Sequence, residues 1–285
     1  MRRREFLAVP AALAPVALGS LAAASGAVGE SRTMPAAPRG AAANSLGVKA
    51  LVFDTFGTVV DWRGSIIAEG EQWGREKNLQ IDWGKFADRW RAGYGPSMDK
   101  VRKGILPWTK LDDLHRMILE DLLKEFNITG LAEDEKQHWN RVWHRLHGWP
   151  DAVQGLTLLK KNYIIATLSN GNVSLLVEMA KFAGLPWDTV FGSDLFRHFK
   201  PDREVYLGAV DLLSAKPEEV MMVAAHPPDL NAARSCGLKT GYVPRPLEGG
   251  PGRVAPVPPA DAAAATSPPF DVTARDFIDL AAKLS

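Results

Sequence analysis

The stretch Val48-Lys49-Ala50-Leu51-Val52-Phe53-Asp54-Thr55-Phe56-Gly57-Thr58 decides the fold. Its short apolar run, Val48 to Phe53, ends on Asp54 and soon meets Gly57, which is the pattern of a buried strand followed by a turn. Three further runs repeat it. Tyr163 to Leu168 closes on Ser169-Asn170-Gly171, Val220 to Ala225 closes on His226-Pro227-Pro228-Asp229, and Thr240 to Val243 is closed by Pro244. Helical patterns lie between the runs. Ser174 to Ala183 puts Leu175, Leu176, Met179, Phe182 and Ala183 on one face and stops at Gly184. Glu204 to Leu213 and Leu230 to Cys236 behave alike, the latter ended by Gly237. Strands that alternate with helices imply an α/β fold, a Rossmann-like parallel sheet covered on both faces. Ligands of such sheets bind beyond the carboxyl ends of the strands, so Asp54, Ser169 and Asp229 are expected to converge.

Residues 62–149 differ in kind. They carry eight tryptophans and no evident strand. Leu111, Leu114, Met117, Ile118, Leu122 and Phe126 mark one amphipathic helix, with Thr109 and Asp112 as its capping signal. Trp139, Val142, Trp143 and Leu146 mark another. An all-helical cap inserted after the first strand is therefore expected over 62–149, with the core formed by 47–61 and 150–285. Within the core, the Pro/Ala-rich residues 249–269 are expected to loop out before a last helix, Thr273 to Leu284.

The whole chain has 285 residues, 46% hydrophobic and 24% charged, which suits a globular protein. Its 34 Lys+Arg against 33 Asp+Glu leave a net charge of +1, with no basic excess to favour nucleic acid. A single cysteine, Cys236, precludes an internal disulfide and a cysteine-based zinc site. At the start, Arg2-Arg3-Arg4-Glu5-Phe6-Leu7 precedes an Ala/Leu/Val/Gly/Pro stretch and small residues near Ser25-Gly26-Ala27. Residues 1–27 have the layout of a cleavable signal peptide, and Arg3-Arg4-Glu5-Phe6-Leu7 resembles the twin-arginine export signal. An exported, periplasmic protein is expected. Pro10, Pro15 and Gly19 interrupt the apolar run, so no stable membrane span is expected after cleavage. Residues 28–46 have linker composition.

Four pieces past the predicted strands carry the chemistry: Phe53-Asp54-Thr55-Phe56-Gly57-Thr58, Leu168-Ser169-Asn170-Gly171, Phe199-Lys200-Pro201-Asp202, and Val223 to Asp229. Each is weak alone. Together, with a helical insert behind the first, they resemble the haloacid dehalogenase superfamily and, within it, the 2-haloacid dehalogenase branch, from about Lys49 to Arg245. The resemblance implies an aspartate nucleophile at Asp54, supported by Ser169, Lys200 and Asp229. Phosphatases of the superfamily carry a second aspartate two positions after the nucleophile. Here that position is Phe56, and a phenyl ring cannot transfer a proton. Ala224 and Ala225 stand where those phosphatases tend to place a further carboxylate for magnesium. A halide leaves without needing a proton or a metal, so no cofactor is expected.

The expected chemistry is attack by Asp54 on the halogen-bearing carbon of a short (S)-2-haloacid, then hydrolysis of the aspartyl ester to the (R)-2-hydroxyacid. Thr55, Phe56, Thr58 and Ser169 belong to the expected substrate pocket. Asn170 and Arg91, the latter in a Trp-Arg pair like the family's, are the expected halide ligands, and Tyr206 is expected near the nucleophile. The chain departs from the family at Ala224, His226 and Pro228, where Ser, Asn and often Trp are usual. His226 therefore becomes a candidate to position or deprotonate the hydrolytic water, with Asp229 orienting it, against the alternative that it only ties down its loop. Phe56, the cap tryptophans and Tyr94 are expected to supply an apolar lining, and the Trp-rich cap offers a homodimer interface. A magnesium-dependent phosphatase and a non-catalytic binding protein remain as alternatives.

Overall fold

The computed structural model describes residues 46–250 and 269–285. The expected signal peptide, most of the linker and the bulk of the Pro/Ala-rich loop lie outside them. Strand β1 (Ala50–Phe53) is buried along its length at the middle of a six-stranded sheet. Its neighbours are β4 (Ile164–Ser169) and β6 (Val220–Ala224). Beyond β4 lies β5 (Thr189–Gly192), and beyond β6 lie β7 (Lys239–Tyr242) and β8 (Val272–Thr273), giving the order β5-β4-β1-β6-β7-β8. All pairings in this sheet are parallel. The chain lays down β4 and β5 on one side of β1 and then returns to the other side, so the strand order reverses at β1. A crevice opens at such a reversal, beyond the carboxyl ends of the strands.

Alternation along β1 feeds two cores. Leu51 and Phe53 join one layer, with Leu156 of helix α5 (Ala152–Leu159), Met179 of α6 (Val173–Ala183) and Leu280 of α10 (Phe277–Lys283). Ala50 and Val52 join the other, with Val205 and Ala209 of α8 (Arg203–Leu212) and Leu230 of α9 (Pro227–Ser235). Burial on both faces is what a parallel sheet requires, and it explains why these strands are apolar runs rather than alternating ones. A four-residue helix, α7 (Ser193–Phe196), follows β5. At the end of α6, Gly184 takes φ +67°, the left-handed conformation that lets a helix stop.

The insert is helical: α1 (Trp62–Lys77), α2 (Trp83–Arg102), α3 (Leu111–Glu125), α4 (Glu133–Asn140) and a 3-10 turn (Arg141–His144). Asp61 and Asp82 cap α1 and α2 by accepting the N–H of Gly64 (2.8 Å) and Lys85 (2.9 Å). Trp73, Trp83, Trp90, Trp139 and Phe86 pack ring against ring inside it. The chain enters through β2 (Val60–Asp61) and leaves through β3 (His147–Gly148), which pair antiparallel and clip the two crossings together.

Several local expectations are corrected. Thr109 does not cap α3; its hydroxyl donates to Pro107 O at 2.8 Å, and Asp112 is drawn away to His144 and Asn172. The second amphipathic segment is not one helix. Helix α4 ends at Asn140 and tightens into the 3-10 turn, because the chain must then extend to join β2 through β3, a strand inside the segment expected to have none. Strands β5 and β8 escape the apolar-run reading: they form the two edges of the sheet, where β5 is only half-buried at its start and β8 is two residues long. Residues 272–273 are therefore strand, and the last helix starts at Phe277 rather than Thr273.

Candidate active site

Asp54 follows β1 at the floor of the crevice and is almost fully buried. Its Oδ1 accepts from Lys200 Nζ at 2.9 Å. Its Oδ2 accepts from Thr58 Oγ1 at 2.7 Å and faces His226 Nδ1 at 2.9 Å. Burial alone would raise the Asp54 carboxyl. The Lys200 ammonium and the hydrogen bonds from His226 and Thr58 outweigh it and hold the group far below the usual carboxylate range. Asp54 is thus an ionised carboxylate in a largely buried site.

Lys200 bridges two carboxylates. Its Nζ also donates to Asp229 Oδ2 at 2.5 Å, and Asp229 Oδ1 accepts from Tyr206 at 2.6 Å. Burial would strip the lysine of its proton, but Asp229 and Asp54 hold it above its normal range. Burial and the Asp229 charge push the Tyr206 phenol up, so it stays a donor. Asp229 sits in the first turn of α9, yet its side chain serves Lys200 and Tyr206 and does not cap the helix.

His226 stands just before α9, whose first two residues are Pro227 and Pro228; prolines there sacrifice no helical hydrogen bond. Its ring turns back over the strand ends, with Nδ1 toward Asp54 and Nε2 2.9 Å from Glu248 Oε2. Burial would lower its pKa, but the two carboxylates push it up to about 10, so it is an imidazolium donating from both nitrogens. The expected orienting role of Asp229 is therefore corrected: Glu248 holds the ring. Glu248 also accepts from Trp62 Nε1 at 2.9 Å, and the His226 hydrogen bond holds its carboxyl low against burial. The tight approach explains Gly57 of the first motif. Its φ is +85°, and a Cβ there would fall 2.0 Å from Glu248 Oε1.

A cavity of about 250 Å3 opens above Asp54. Of the sequence-predicted residues, Asp54, Phe56, Arg91, Tyr94, Asn170, Lys200, Tyr206, His226 and Asp229 line it, together with Pro201 and Pro228. Thr55, Thr58 and Ser169 lie behind the lining. Thr58 serves the nucleophile, its oxygen also accepting the Ala225 N–H at 2.9 Å. Ser169 accepts the Gly171 N–H at 3.3 Å, and the buried Thr55 hydroxyl has no partner. Asn170 accepts the backbone N–H of Lys200 at 2.6 Å. The cap tryptophans do not reach the cavity as expected; Trp143 packs edge-on behind Phe56 with centroids 5.8 Å apart. Arg91 enters from α2. Its guanidinium carbon lies 4.2 Å from the centroid of Tyr94 and 5.6 Å from that of Trp62, and its buried Nη1 has no hydrogen-bond partner. Arg91 thus brings a cationic side chain to the cavity wall with one buried donor unpartnered, an arrangement that suits an anion.

The fold and this carboxylate–lysine–carboxylate floor define a hydrolase class, and the chain belongs to it: residues 48–237 match the haloacid dehalogenase-like hydrolase family. Among solved structures, the chain is similar to the L-2-haloacid dehalogenase PA0810, at 45% identity and a TM-score of 0.76, over 84% of this chain and 100% of that one. It is also similar to the defluorinating L-2-haloacid dehalogenase Rha0230, at 45% identity and a TM-score of 0.77, over 83% of this chain and 95% of that one. By sequence it is 27% identical over 211 residues to (S)-2-haloacid dehalogenase 4A of Burkholderia cepacia, covering 70% of this chain and 84% of that one.

Glu248 is the site residue that sequence reasoning missed. It stands just before the Gly249-Gly250 start of the Pro/Ala-rich stretch, where a carboxylate carries no local signal of its partners.

Proposed function

We propose that the chain is a hydrolytic dehalogenase that converts short (S)-2-haloacids to (R)-2-hydroxyacids and halide. The observation that carries it is Asp54, a carboxylate kept ionised on the cavity floor with the phenyl ring of Phe56 at the proton-donor position two residues on. The likeness to L-2-haloacid dehalogenases at 45% identity supports the same reading.

In the first step an Asp54 oxygen attacks the halogen-bearing carbon from the side opposite the halogen. The C–O bond forms as the C–X bond breaks, the carbon inverts, and the electron pair leaves with the halide. Arg91 and Asn170 receive the halide, and Lys200 keeps the nucleophile anionic. Ester formation removes one of the two negative charges that hold His226 protonated, and Glu248 stays to orient the ring. The histidine pKa falls, and its Nδ1 proton is released to water. The neutral ring then deprotonates a water attacking the Asp54 carbonyl carbon, and Glu248 steadies the imidazolium that re-forms. The acyl C–O bond breaks, the departing alkoxide takes the proton of the newly added hydroxyl, the hydroxyacid leaves with its inverted centre intact, and Asp54 is regenerated as a carboxylate. One water is consumed and one proton released per turnover.

The test is halide release from racemic 2-chloropropionate in EDTA, by wild type and Asp54→Asn, with chiral analysis of the product. Consumption of the (S) enantiomer alone, abolished in Asp54→Asn, is the expected result. Magnesium-dependent hydrolysis of an aryl phosphate without halide release would move the assignment to a phosphatase, and neither activity would favour a binding role.

Export and self-association belong to the same proposal. Residues 1–27 carry the export reading, tested by fractionating cells and sequencing the mature amino terminus. Dimerisation through the cap is tested by sedimentation equilibrium. Among the described residues, no helix is long and apolar enough to cross a membrane.

A further inference from the structure

Lys200 is set by its backbone as much as by its charge. Its own N–H is held by Asn170 Oδ1 at 2.6 Å. The two carbonyls that flank it, Phe199 O and Lys200 O, both accept from Nη2 of Arg102, the first at 3.3 Å. Arg102 Nε donates to Asp202 Oδ1 at 3.0 Å, and Nη1 is braced by Asp99 Oδ1 at 2.7 Å. Every nitrogen of the guanidinium is engaged, and about three-quarters of the side chain is buried. Both peptide planes on either side of the Lys200 Cα are therefore gripped by side chains. That fixes where the lysine stem starts and where its ammonium can reach.

Arg102 does not belong to the sheet domain. It ends α2 in the helical insert, the same helix that carries Arg91 and Tyr94 into the cavity. Next to it, Trp108 of the insert packs on Phe199 with ring centroids 4.9 Å apart. One cap helix thus presents the anion-binding arginine at one point and grips the catalytic lysine's loop at another.

We propose that Arg102 is a positioning residue for Lys200, a latch that makes activation of Asp54 depend on the cap being closed. The proposal rests on the dehalogenase reading only for its kinetic arm. With the latch formed, the ammonium sits between Asp54 and Asp229. With it released, the 199–202 loop loses its hold on the cap, the lysine wanders, and Asp54 loses both the partner that orients it for attack and part of the charge that holds its pKa low. Cap opening for release of products and loss of the charged lysine contact become one event.

The test compares the full-length wild type with Arg102→Ala and Arg102→Lys. Two readouts are taken: the pH dependence of kcat and KM on 2-chloropropionate, and the rate of Lys200 acetylation by acetic anhydride, followed by peptide mass spectrometry. For Arg102→Ala, kcat is expected to fall about tenfold with little change in KM, the size of a modest misplacement of a catalytic group. Its acidic limb should move to higher pH and Lys200 should acetylate faster. Arg102→Lys should recover part of each. Unchanged kcat, acidic limb and Lys200 reactivity in Arg102→Ala would overturn the proposal, even with a lowered melting temperature, since the arginine would then serve stability alone. Should Arg102→Ala fail to fold, Arg102→Lys and Asp202→Asn carry the same comparison. Absence of halide release by the wild type would count against the dehalogenase reading, and the acetylation rates would still decide the latch.

Discussion

Nδ1 of His226 lies 2.9 Å from Oδ2 of Asp54, so the nucleophile and the histidine after β6 form one charge pair in the resting site. The pairing has a kinetic consequence. In the proposed mechanism alkylation cancels the Asp54 charge, Glu248 is left as the ring's one carboxylate partner, and the histidine then acts as the base. In His226→Ala, the first turnover should survive and hydrolysis of the ester should fail, with kcat falling about a hundredfold, as for loss of a general base. A burst of one halide per active site, followed by slow turnover, is the expected trace, with the ester visible in the intact mass. Steady-state hydrolysis at the wild-type rate would remove His226 from the second step.

The same pair sets a stability window. The Asp54 carboxyl is depressed in the folded protein, so its contribution is present above its ordinary value near 3.8 and is lost as pH falls below it. His226 is raised from 6.5 to about 10, so its contribution is full below 6.5 and is lost as pH climbs through about 10. Both are complete only between roughly pH 4 and 6.5. Urea unfolding across pH 6 to 10 should show the stability difference between wild type and His226→Ala shrinking steadily. A difference that stays constant over that range would mean that the pair does not titrate with folding.

Strands β1, β4, β6 and β7 were legible because each is a short apolar run closed by polar or proline residues, a local signal that needs no partner. Asp54 and Asp229 lie past the ends of their strands as that logic required, and Ser169 ends its own, although it sits behind the cavity wall. Glu248 was not legible. Its partners, Trp62 and His226, lie 186 and 22 residues away, and no spacing rule links a carboxylate in a loop to either. Arg102 was hidden differently. A basic residue in the last turn of a helix is already explained by the helix dipole, so nothing in the sequence marks its grip on the Lys200 loop. The assignment of Asp229 to His226 failed because three residues of sequence separation do not determine which way a side chain turns.

Phe56 is packing as well as chemistry. It is 2% exposed and meets Trp143 and Tyr94 edge-on, at 5.8 and 6.5 Å between centroids. Phe56→Ala should cost about 3 kcal/mol of unfolding free energy, the usual price of truncating a buried phenyl ring. Phe56→Asp, which restores the phosphatase pattern, should be destabilised too, because it buries a carboxylate against those rings. Urea denaturation measures the cost. A Phe56→Asp protein as stable as wild type and hydrolysing aryl phosphates with magnesium would show that the phenyl ring alone separates the two chemistries.

Arg91 should be the least replaceable cation of the cavity after Lys200. It lies over Tyr94, beside Trp62, with a buried, unpartnered Nη1, a planar arrangement that an ammonium cannot copy. Arg91→Lys retains the charge but loses the stacked orientation. Its kcat/KM on 2-bromopropionate should fall about tenfold, equivalent to ~1.4 kcal/mol or one charge-assisted hydrogen bond. Inhibition by added bromide should weaken in parallel, because in the proposed mechanism the contact that receives the leaving halide also holds the product ion. Loss of kcat/KM with unchanged bromide inhibition would instead assign Arg91 to the substrate carboxylate and leave the halide to Asn170.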